Sequence, residues 1–207
     1  MIAIIDYGVG NLFSLKSSLL AINANAVVTN DREIIKSAEK IILPGVGAFE
    51  DAAKKLRDSG LADLIVEEAK NGKPILGICL GMQMLFEKSF EYGEHKGLGL
   101  IPGEVRPISD VIPEGLKIPH IGWNALDFNG NKNELFKYIN EGDCVYFVHS
   151  YYAAKCEEYV IAQAEYGAPL TAAVANGNVF GCQFHPEKSG NVGLNILRAF
   201  CETEVKS

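Results

Sequence analysis

The sequence lacks the features that mark membrane, secreted and nucleic-acid-binding proteins. It contains no apolar run of about 18 residues, the length that a membrane-spanning helix needs. Its start, Met1-Ile2-Ala3-Ile4-Ile5-Asp6, is too short an apolar stretch for a signal peptide and has no basic flank. The formal net charge is −7 without basic runs, which argues against binding to nucleic acid. We therefore expect a soluble cytoplasmic protein with neither a membrane nor a nucleic acid as its partner.

Disulfide, metal and phosphate-binding patterns are also absent. The cysteines are odd in number and scattered, and none belongs to a C-x-x-C pair: Cys79, Cys144, Cys156, Cys182 and Cys201. This arrangement argues against a disulfide framework and a structural zinc site. Neither a Walker-type loop nor a dinucleotide fingerprint occurs. We expect free thiols, no metal site and no cofactor.

What the sequence does contain is an alternation of strand and helix patterns, which predicts an α/β fold. Strands are expected at residues 2–5, 26–29, 40–43, 74–76, 144–148, 160–165, 171–175 and 179–184. Helices are expected at 12–22, 58–70, 82–87 and 191–201, with surface loops at 88–97 and 119–124. With 207 residues and 48% hydrophobic composition, residues 1–207 should form a single domain. The expected architecture is flavodoxin-like or Rossmann-like: a mixed, mostly parallel sheet with helices on both faces.

A cysteine flanked by glycines is the first chemical feature. Gly77-Ile78-Cys79-Leu80-Gly81 follows an apolar strand and precedes a helical pattern. A nucleophile at a sharp strand-to-helix turn is lifted above the end of the sheet, and the crowded backbone there requires small neighbours. The pattern predicts that Cys79 is a nucleophile.

A histidine and a glutamate supply the second feature. Gly181-Cys182-Gln183-Phe184-His185-Pro186-Glu187 lies where a predicted strand ends. Pro186 favours extended backbone angles at His185, which should bring His185 and Glu187 to the same side. His185 can then take the proton from Cys79 while Glu187 orients the imidazole. A free thiol, with a pKa near about 8.5, needs such help.

Structural roles compete with this interpretation. Cysteine is often a buried core residue. We interpret Cys182 in this way, because strand alternation turns it away from His185. Cys144, Cys156 and Cys201 lack glycine neighbours and a nearby base. An H-P-E tripeptide alone is weak evidence for catalysis, but its combination with a G-x-C-x-G elbow makes the prediction specific.

These motifs resemble those of the class I, triad-type glutamine amidotransferases, and the resemblance covers nearly the whole chain. Three further segments resemble one branch of that family, the glutaminase subunits of imidazole glycerol phosphate synthase in histidine biosynthesis. They are Tyr7-Gly8-Val9-Gly10-Asn11, Pro44-Gly45-Val46-Gly47 and Pro119-His120-Ile121-Gly122-Trp123-Asn124. No motif position departs from the pattern of that branch.

The resemblance implies a glutaminase reaction. Cys79 attacks the side-chain amide of L-glutamine, ammonia leaves with a proton from His185, and water hydrolyses the glutamyl thioester to glutamate. The oxyanion would be held by the backbone N–H of Leu80 and by the Pro44-Gly45-Val46-Gly47 loop through Val46 and Gly47. An ordinary turn at the end of a strand is the alternative for that loop. If a peptide there rests with its carbonyl inward, partner binding could shift it into the competent state.

Substrate residues also follow from the resemblance. Gln83 and Glu91 would hold the α-amino end of glutamine, and His149, Ser150 and Tyr151 would line the pocket, partly through backbone groups. Alternatively, Gln83 and Glu91 are solvated residues of a helix and a loop, and His149 fills a polar gap after a strand.

A partner is implied because the chain shows no machinery that uses ammonia. By resemblance the partner is a cyclase subunit with a (β/α)8 barrel, which would form a heterodimer with this chain. The cyclase joins ammonia to a nucleotide, giving imidazole glycerol phosphate and aminoimidazole carboxamide ribonucleotide. Asn11, Trp123 and Lys188 would contact it, although a lone tryptophan is commonly a core residue.

Three other functions remain open at this point. Another class I glutaminase, such as one that feeds pyridoxal phosphate or anthranilate synthesis, would be activated by a different partner. A γ-glutamyl peptidase could use the same Cys79, His185 and Glu187. A non-catalytic binding subunit could keep the fold for assembly, and a glutamine-analogue electrophile would then fail to label Cys79.

Overall fold

A seven-stranded mixed sheet forms the centre of the computed structural model, which describes residues 1–204. In chain order its strands are β1 (Ile2–Ile5), β2 (Ala26–Thr29), β3 (Lys40–Gly45), β4 (Ile75–Cys79), β11 (Val160–Glu165), β12 (Pro169–Asn176) and β13 (Val179–Cys182). The spatial order is β11-β12-β13-β4-β3-β1-β2. The five strands from β13 to β2 run parallel, and β11 and β12 add an antiparallel edge. The predicted mixed, mostly parallel sheet is confirmed.

Helices cover both faces of this sheet, as predicted. They are α1 (Leu12–Ala21), α2 (Arg32–Ser37), α3 (Phe49–Asp58), α4 (Leu61–Lys70), α5 (Leu80–Met84) and α6 (Gly190–Cys201). Residues of α2, α3 and α4 bury one face, and residues of α1 and α6 bury the other. Strands β1, β3 and β4 are buried along their whole length, which explains why they are apolar runs rather than alternating patterns.

Two smaller sheets pack beside the central one. Four strands in the order β10-β7-β5-β6 form the first: β5 (Phe86–Ser89), β6 (His95–Lys96), β7 (Ile101–Pro107) and β10 (Tyr151–Ala154). The second is the antiparallel pair of β8 (His120–Ala125) and β9 (Cys144–His149), in which His120 lies opposite His149. Short 3-10 turns complete the chain at Ile108–Asp110, Glu134–Phe136, Glu157–Tyr159 and Pro186–Lys188. The single-domain prediction covers residues 1–207, of which the last three lie outside the described residues.

The helix predicted for 58–70 is wrong in its extent, because two helices occupy this part of the chain. Helix α3 ends at Asp58 and α4 begins at Leu61. Gly60 between them has a φ of 70°, in the left-handed region that ends a helix and that glycine adopts easily. Helix α3 itself was not predicted, although its buried residues recur at helical spacing: Phe49, Ala52, Ala53 and Leu56.

Four further boundaries differ from the predictions. The helix predicted for 82–87 ends at Met84, and the loop predicted for 88–97 contains the end of β5 and all of β6. The loop predicted for 119–124 includes most of β8, and the strand predicted for 179–184 ends at Cys182. Pairing with distant strands determines β5, β6 and β8. Local periodicity does not reveal such pairing.

Three glycines allow the backbone of β3, β4 and α5 to meet at the elbow. A Cβ atom at Gly45 would lie 2.7 Å from the nitrogen of Gly81, and one at Gly77 would lie 2.7 Å from the oxygen of Gly81. A Cβ atom at Gly81 would overlap the carbonyl oxygen of Leu43. Backbone atoms cannot move aside as a flexible side chain can. The elbow therefore requires glycine at these positions.

No helix within residues 1–204 has both the length and the apolar character needed to cross a membrane.

Substitution of Gly81 by alanine should destabilise the fold. The added methyl group meets the backbone of β3, and we expect the free energy of unfolding to fall by about 3 kcal/mol, the upper end of the usual cost of overpacking. Gly177→Ala is the matched control, because it places the same group in open space at a φ of 60°. Its cost should be only about 1 kcal/mol. Urea denaturation of both variants gives the comparison, and equal losses would contradict the role of the elbow contact.

Candidate active site

Cys79 lies at the carboxyl end of β4, where the strand turns directly into α5. It pairs with Gly45 of β3 and has φ 54° and ψ −112°, an unusual conformation for a residue other than glycine. Such strain is typical of a nucleophile elbow. The next residue, Leu80, opens α5, so its N–H lies among those that the helix leaves without a helical partner. The elbow thus supplies both a sulfur and a backbone donor.

His185 reaches the elbow because β13 is the parallel neighbour of β4. Carboxyl ends of parallel strands meet at one edge of a sheet, and His185 follows β13 by three residues. Two hydrogen bonds fix its backbone. Its N–H donates to the backbone carbonyl oxygen of Tyr146 at 2.9 Å, and its carbonyl accepts from the Ser189 hydroxyl at 2.6 Å. The imidazole is buried.

Glu187 orients the ring of His185. The distance from His185 Nδ1 to Glu187 Oε1 is 2.9 Å. A carboxylate only accepts, so Nδ1 carries the proton, and Nε2 is the nitrogen left available for proton exchange. The predicted contact forms, and His185 has the predicted extended backbone, but the chain does not stay extended as far as Glu187. Glu187 lies in the turn Pro186–Lys188, and this turn brings the carboxylate back to the ring.

A cavity of about 540 Å³ opens above Cys79. This volume suits a small-molecule site. The predicted catalytic, oxyanion and substrate residues all line it except Glu187, which lies behind His185: Cys79, His185, Val46, Gly47, Leu80, Gln83, Glu91, His149, Ser150 and Tyr151. Lys188 lines it as well. The fold therefore gathers these residues from five separate segments around the thiol.

Gln83 and Glu91 reach the cavity with part of their polar groups already bound. Gln83 Nε2 donates to the backbone carbonyl oxygen of Tyr151 at 3.3 Å and to Gln183 Oε1 at 3.0 Å. Glu91 Oε2 accepts from the N–H of Phe49 at 2.7 Å, at the start of α3. Burial raises the pKa of Glu91, and the bond from Phe49 partly offsets this. Each side chain keeps one oxygen, Oε1, outside these bonds.

His149 forms part of the cavity wall, and both of its ring nitrogens are bound to the protein. Its Nδ1 lies 2.8 Å from the backbone carbonyl oxygen of Tyr151. Because a carbonyl oxygen only accepts, Nδ1 carries the proton and Nε2 is left as an acceptor. His120 Nδ1 donates to that Nε2 at 3.0 Å. Burial lowers the pKa of His149 to about 4 and also lowers the pKa of His120. These hydrogen bonds are consistent with neutral His149 and His120 rings that each carry their proton on Nδ1.

The loop between β3 and α3 lies beside the elbow and carries Val46 and Gly47. Gly47 has a φ of 93°, which a side chain rarely tolerates, and Val46 is exposed. The start of this loop is anchored, because the hydroxyl of buried Tyr7 donates to the Pro44 oxygen at 2.8 Å. Burial, together with the nearby Cys79, raises the pKa of Tyr7 and keeps it a neutral donor.

The three predicted interface residues surround the site at different depths. Trp123 is exposed on β8, with its ring centroid 6.1 Å from that of Tyr146. Lys188 Nζ lies 5.8 Å from the centroid of the same Tyr146 ring. Asn11 borders a small cleft behind the triad together with His185 and Glu187. Trp123 is therefore not the core residue that a lone tryptophan commonly is.

Comparisons with known proteins agree with this geometry. The model of the family described as glutamine amidotransferase class-I matches residues 3–203. A protein of Wolinella succinogenes named imidazole glycerol phosphate synthase subunit HisH is 48% identical over 204 residues, covering 98% of this chain and 99% of the relative. A protein of the same name from Caldanaerobacter subterraneus subsp. tengcongensis is 50% identical over 203 residues, covering 98% of this chain and 98% of the relative. This chain is a class-I glutamine amidotransferase of the HisH branch. The predicted family and branch are confirmed.

Solved structures support the fold. The chain matches a structure described as glutamine amidotransferase with a TM-score of 0.75 and 20% identity, covering 98% of both chains. It matches PurLQS from Thermotoga maritima with a TM-score of 0.72 and 24% identity, covering 96% of both. The likeness at such low identity shows that the amidotransferase fold is shared.

His185 is held in its protonated form in this amidotransferase. Burial disfavours a charged ring, but hydrogen bonds with Cys79 and Glu187 and the charges of both groups outweigh burial and raise the pKa of His185 to about 9. These interactions favour the imidazolium form of the ring beside the sulfur. This is the state that stabilises a thiolate and can protonate a leaving amine.

Three residues of the site lie outside the predicted set. They are Gln183, whose amide reaches Cys79; Tyr7, which anchors the start of the loop between β3 and α3; and Ser189, which bonds to the backbone of Tyr146 and His185. Strand alternation was a usable signal for Gln183, since it lies two residues before His185. No local pattern reveals the contact of Tyr7 with Pro44 or that of Ser189 with Tyr146, because these partners lie more than 35 positions away in the sequence.

The Glu187→Gln variant should lower the pKa of His185. The carboxylate is one of the groups that raise this pKa, and a neutral amide cannot replace its charge. NMR titration of the ring signals gives the measurement. The signals of His95, distant in the sequence and outside the site, serve as the control. An unchanged midpoint for His185 would contradict the role given to Glu187.

The same shift predicts how stability depends on pH. The pKa of His185 is higher in the folded state than the unfolded value near about 6.5. Its contribution to the free energy of unfolding is therefore complete below about pH 6.5 and is lost as the pH rises through about 9. In Glu187→Gln this contribution should be smaller, and its loss should be complete at a lower pH. Urea denaturation from pH 6 to pH 9.5 tests this sign.

Proposed function

We propose that this chain hydrolyses L-glutamine to glutamate and ammonia through a glutamyl thioester on Cys79. The ammonia passes to a cyclase subunit with a (β/α)8 barrel. That subunit forms imidazole glycerol phosphate and aminoimidazole carboxamide ribonucleotide in histidine biosynthesis. The observation that carries the proposal is the contact of His185 with both Cys79 and Glu187 beside one cavity that Cys79 and His185 line.

Acylation follows from the charges at the elbow. The sulfur of Cys79, paired with the imidazolium of His185, attacks the side-chain carbonyl carbon of glutamine. The tetrahedral intermediate collapses as His185 gives its proton to the departing amine, which leaves as ammonia. Glu187 keeps Nδ1 protonated, so that Nε2 alone serves the reaction.

Hydrolysis of the thioester reverses the proton transfers. The neutral His185 takes a proton from water, and the hydroxide formed attacks the glutamyl carbonyl. Collapse of the second tetrahedral intermediate expels the thiolate of Cys79 and releases glutamate. In both steps the oxyanion requires donors that are already in place, and removal of one such donor typically costs about 100- to 1000-fold in rate. We assign this role to the N–H of Leu80 and to the backbone of Val46 and Gly47, which line the same cavity.

Recognition of glutamine uses the far side of the cavity. The Oε1 atoms of Gln83 and Glu91 are the polar atoms left by their internal bonds, and both can accept from the α-ammonium group. The carboxylate of Glu91 adds charge complementarity. Both nitrogens of His149 are occupied. Its contribution, with those of Ser150 and Tyr151, is therefore through backbone groups and the shape of the wall.

The partner binds where apolar residues surround the mouth of the cavity. Ile118 and Pro119 line the cavity, and Ile118, Ile121 and Trp123 are exposed. Large exposed apolar side chains close together mark interaction surfaces. Lys188 and Asn11 lie at the same end of the sheet, and we place them at the interface. Docking there closes the site and gives ammonia a path away from bulk water. We propose a cytoplasmic location for both subunits.

Glutamate release tests the proposal. The chain is assayed alone and with the cyclase subunit and its nucleotide ligand. Release should be strongly stimulated in the mixture, and Cys79→Ala should reduce it at least about 1000-fold. Cys182→Ala is the matched control, since Cys182 is a buried cysteine of the adjacent strand, and this variant should keep most of the activity. Failure of this partner to stimulate glutamate release would contradict the proposed function and would favour a role in binding only.

A further inference from the structure

Gln183 is a fully buried amide beside the nucleophile. It directly follows β13, and its N–H donates to the Ala172 oxygen at 2.8 Å, which fixes its backbone. Its side chain lies on the same side of the chain as His185. Its Nε2 atom is 3.7 Å from the sulfur of Cys79, within the distance of a hydrogen bond to sulfur. The triad mechanism leaves this group without a role.

The direction of the amide follows from its neighbours. The backbone oxygen of Tyr151 can only accept, so the atom of Gln83 that faces it at 3.3 Å must be Nε2. The same Nε2 faces Gln183 at 3.0 Å, so the atom it meets there must be the acceptor Oε1. Gln183 is therefore required to turn its Nε2–H groups to the opposite side, where the sulfur lies. One carbonyl oxygen thus determines the orientation of two amides.

We propose that Gln183 is a positioning residue for Cys79, which donates an N–H hydrogen bond to the sulfur and holds the thiolate in place for attack. The proposal rests on the glutaminase function proposed above. Gln183 neither takes up nor releases a proton, because a side-chain amide does not titrate near neutral pH. Its bond can therefore persist through acylation and through expulsion of the thiolate during hydrolysis. His185 moves the proton, and Gln183 fixes the sulfur.

A donor at this position favours the charged form of sulfur. Hydrogen bonds to ionised acceptors are about twice as strong as those between neutral groups, and they matter most in a buried site. The thiolate has two such donors, the imidazolium of His185 and the amide of Gln183. Because Gln83 lines the cavity and holds Gln183, the residue expected to contact glutamine also supports the sulfur.

The test measures the reactivity of Cys79 directly. Wild-type protein and Gln183→Met are alkylated with iodoacetamide between pH 5 and pH 10, and peptide mass spectrometry gives the rate at each cysteine. In Gln183→Met the midpoint for Cys79 should rise by about one pH unit, with labelling at pH 7 about tenfold slower. The profile of exposed Cys144 should not change and serves as the internal reference. A Cys79 profile that coincides with the wild type in the folded variant overturns the proposal.

Two further variants separate orientation from packing. Gln183→Glu keeps the size of the side chain and can still accept from Gln83, but it turns an oxygen toward the sulfur, so the midpoint for Cys79 should rise further. Gln163→Met is the control for a glutamine-to-methionine change outside the site, and its Cys79 profile should match the wild type. If Gln183→Met does not fold, Gln183→Glu decides the question by the same criterion.

Steady-state kinetics with the cyclase subunit complete the test. Gln183→Met should lower kcat about tenfold and change KM for glutamine less, because the bond acts on the nucleophile. A rise in KM with unchanged kcat would contradict the proposal. Failure of the proposed function is distinguishable: a glutamine-analogue electrophile would then not label wild-type Cys79 at all, whatever residue 183 does to alkylation.

Discussion

The close backbone contact between β3 and α5 is the constraint on which the site depends. Gly81 lies against the carbonyl of Leu43, and no other residue fits there. This contact forces β4 to turn within one residue, which places Cys79 at a positive φ and Leu80 at the start of a helix. The same short helix then directs Gln83 into the cavity. The proposed nucleophile, backbone donor and substrate residue thus all depend on one steric condition.

Hydrogen bonds of fixed direction organise the polar side of the site. Two chains of hydrogen bonds meet at the backbone carbonyl oxygen of Tyr151. One runs from His120 through His149 to this oxygen. The other runs from this oxygen through Gln83 and Gln183 to the sulfur of Cys79. Because the shared oxygen only accepts, each donor in both chains has a single possible orientation. Hydrogen bonds of this kind restrict the movement of the buried side chains that they join. The site is thus arranged before any ligand binds.

The sequence predicted the parallel sheet and the two catalytic motifs because their signals are local. Buried strands appear in the sequence as apolar runs. Each of the two motifs places a distinctive combination of residue types at the point where a strand ends. Helix α3 and strand β8 were not predicted, since the first follows a glycine-rich loop and the second depends on pairing with β9. Gln183 lay within a recognised motif. Its role became visible only with Gln83, which is 100 positions away in the sequence.

The central claim is that Cys79, held at the elbow, carries the glutamyl group during turnover. Rapid acid quenching of the chain with the cyclase subunit, its nucleotide ligand and L-glutamine, followed by peptide mass spectrometry, tests this claim most directly. The account predicts a glutamyl adduct on the peptide that contains Cys79 and on no other cysteine peptide. Glutamate release without such an adduct, or an adduct on a different cysteine, would contradict it.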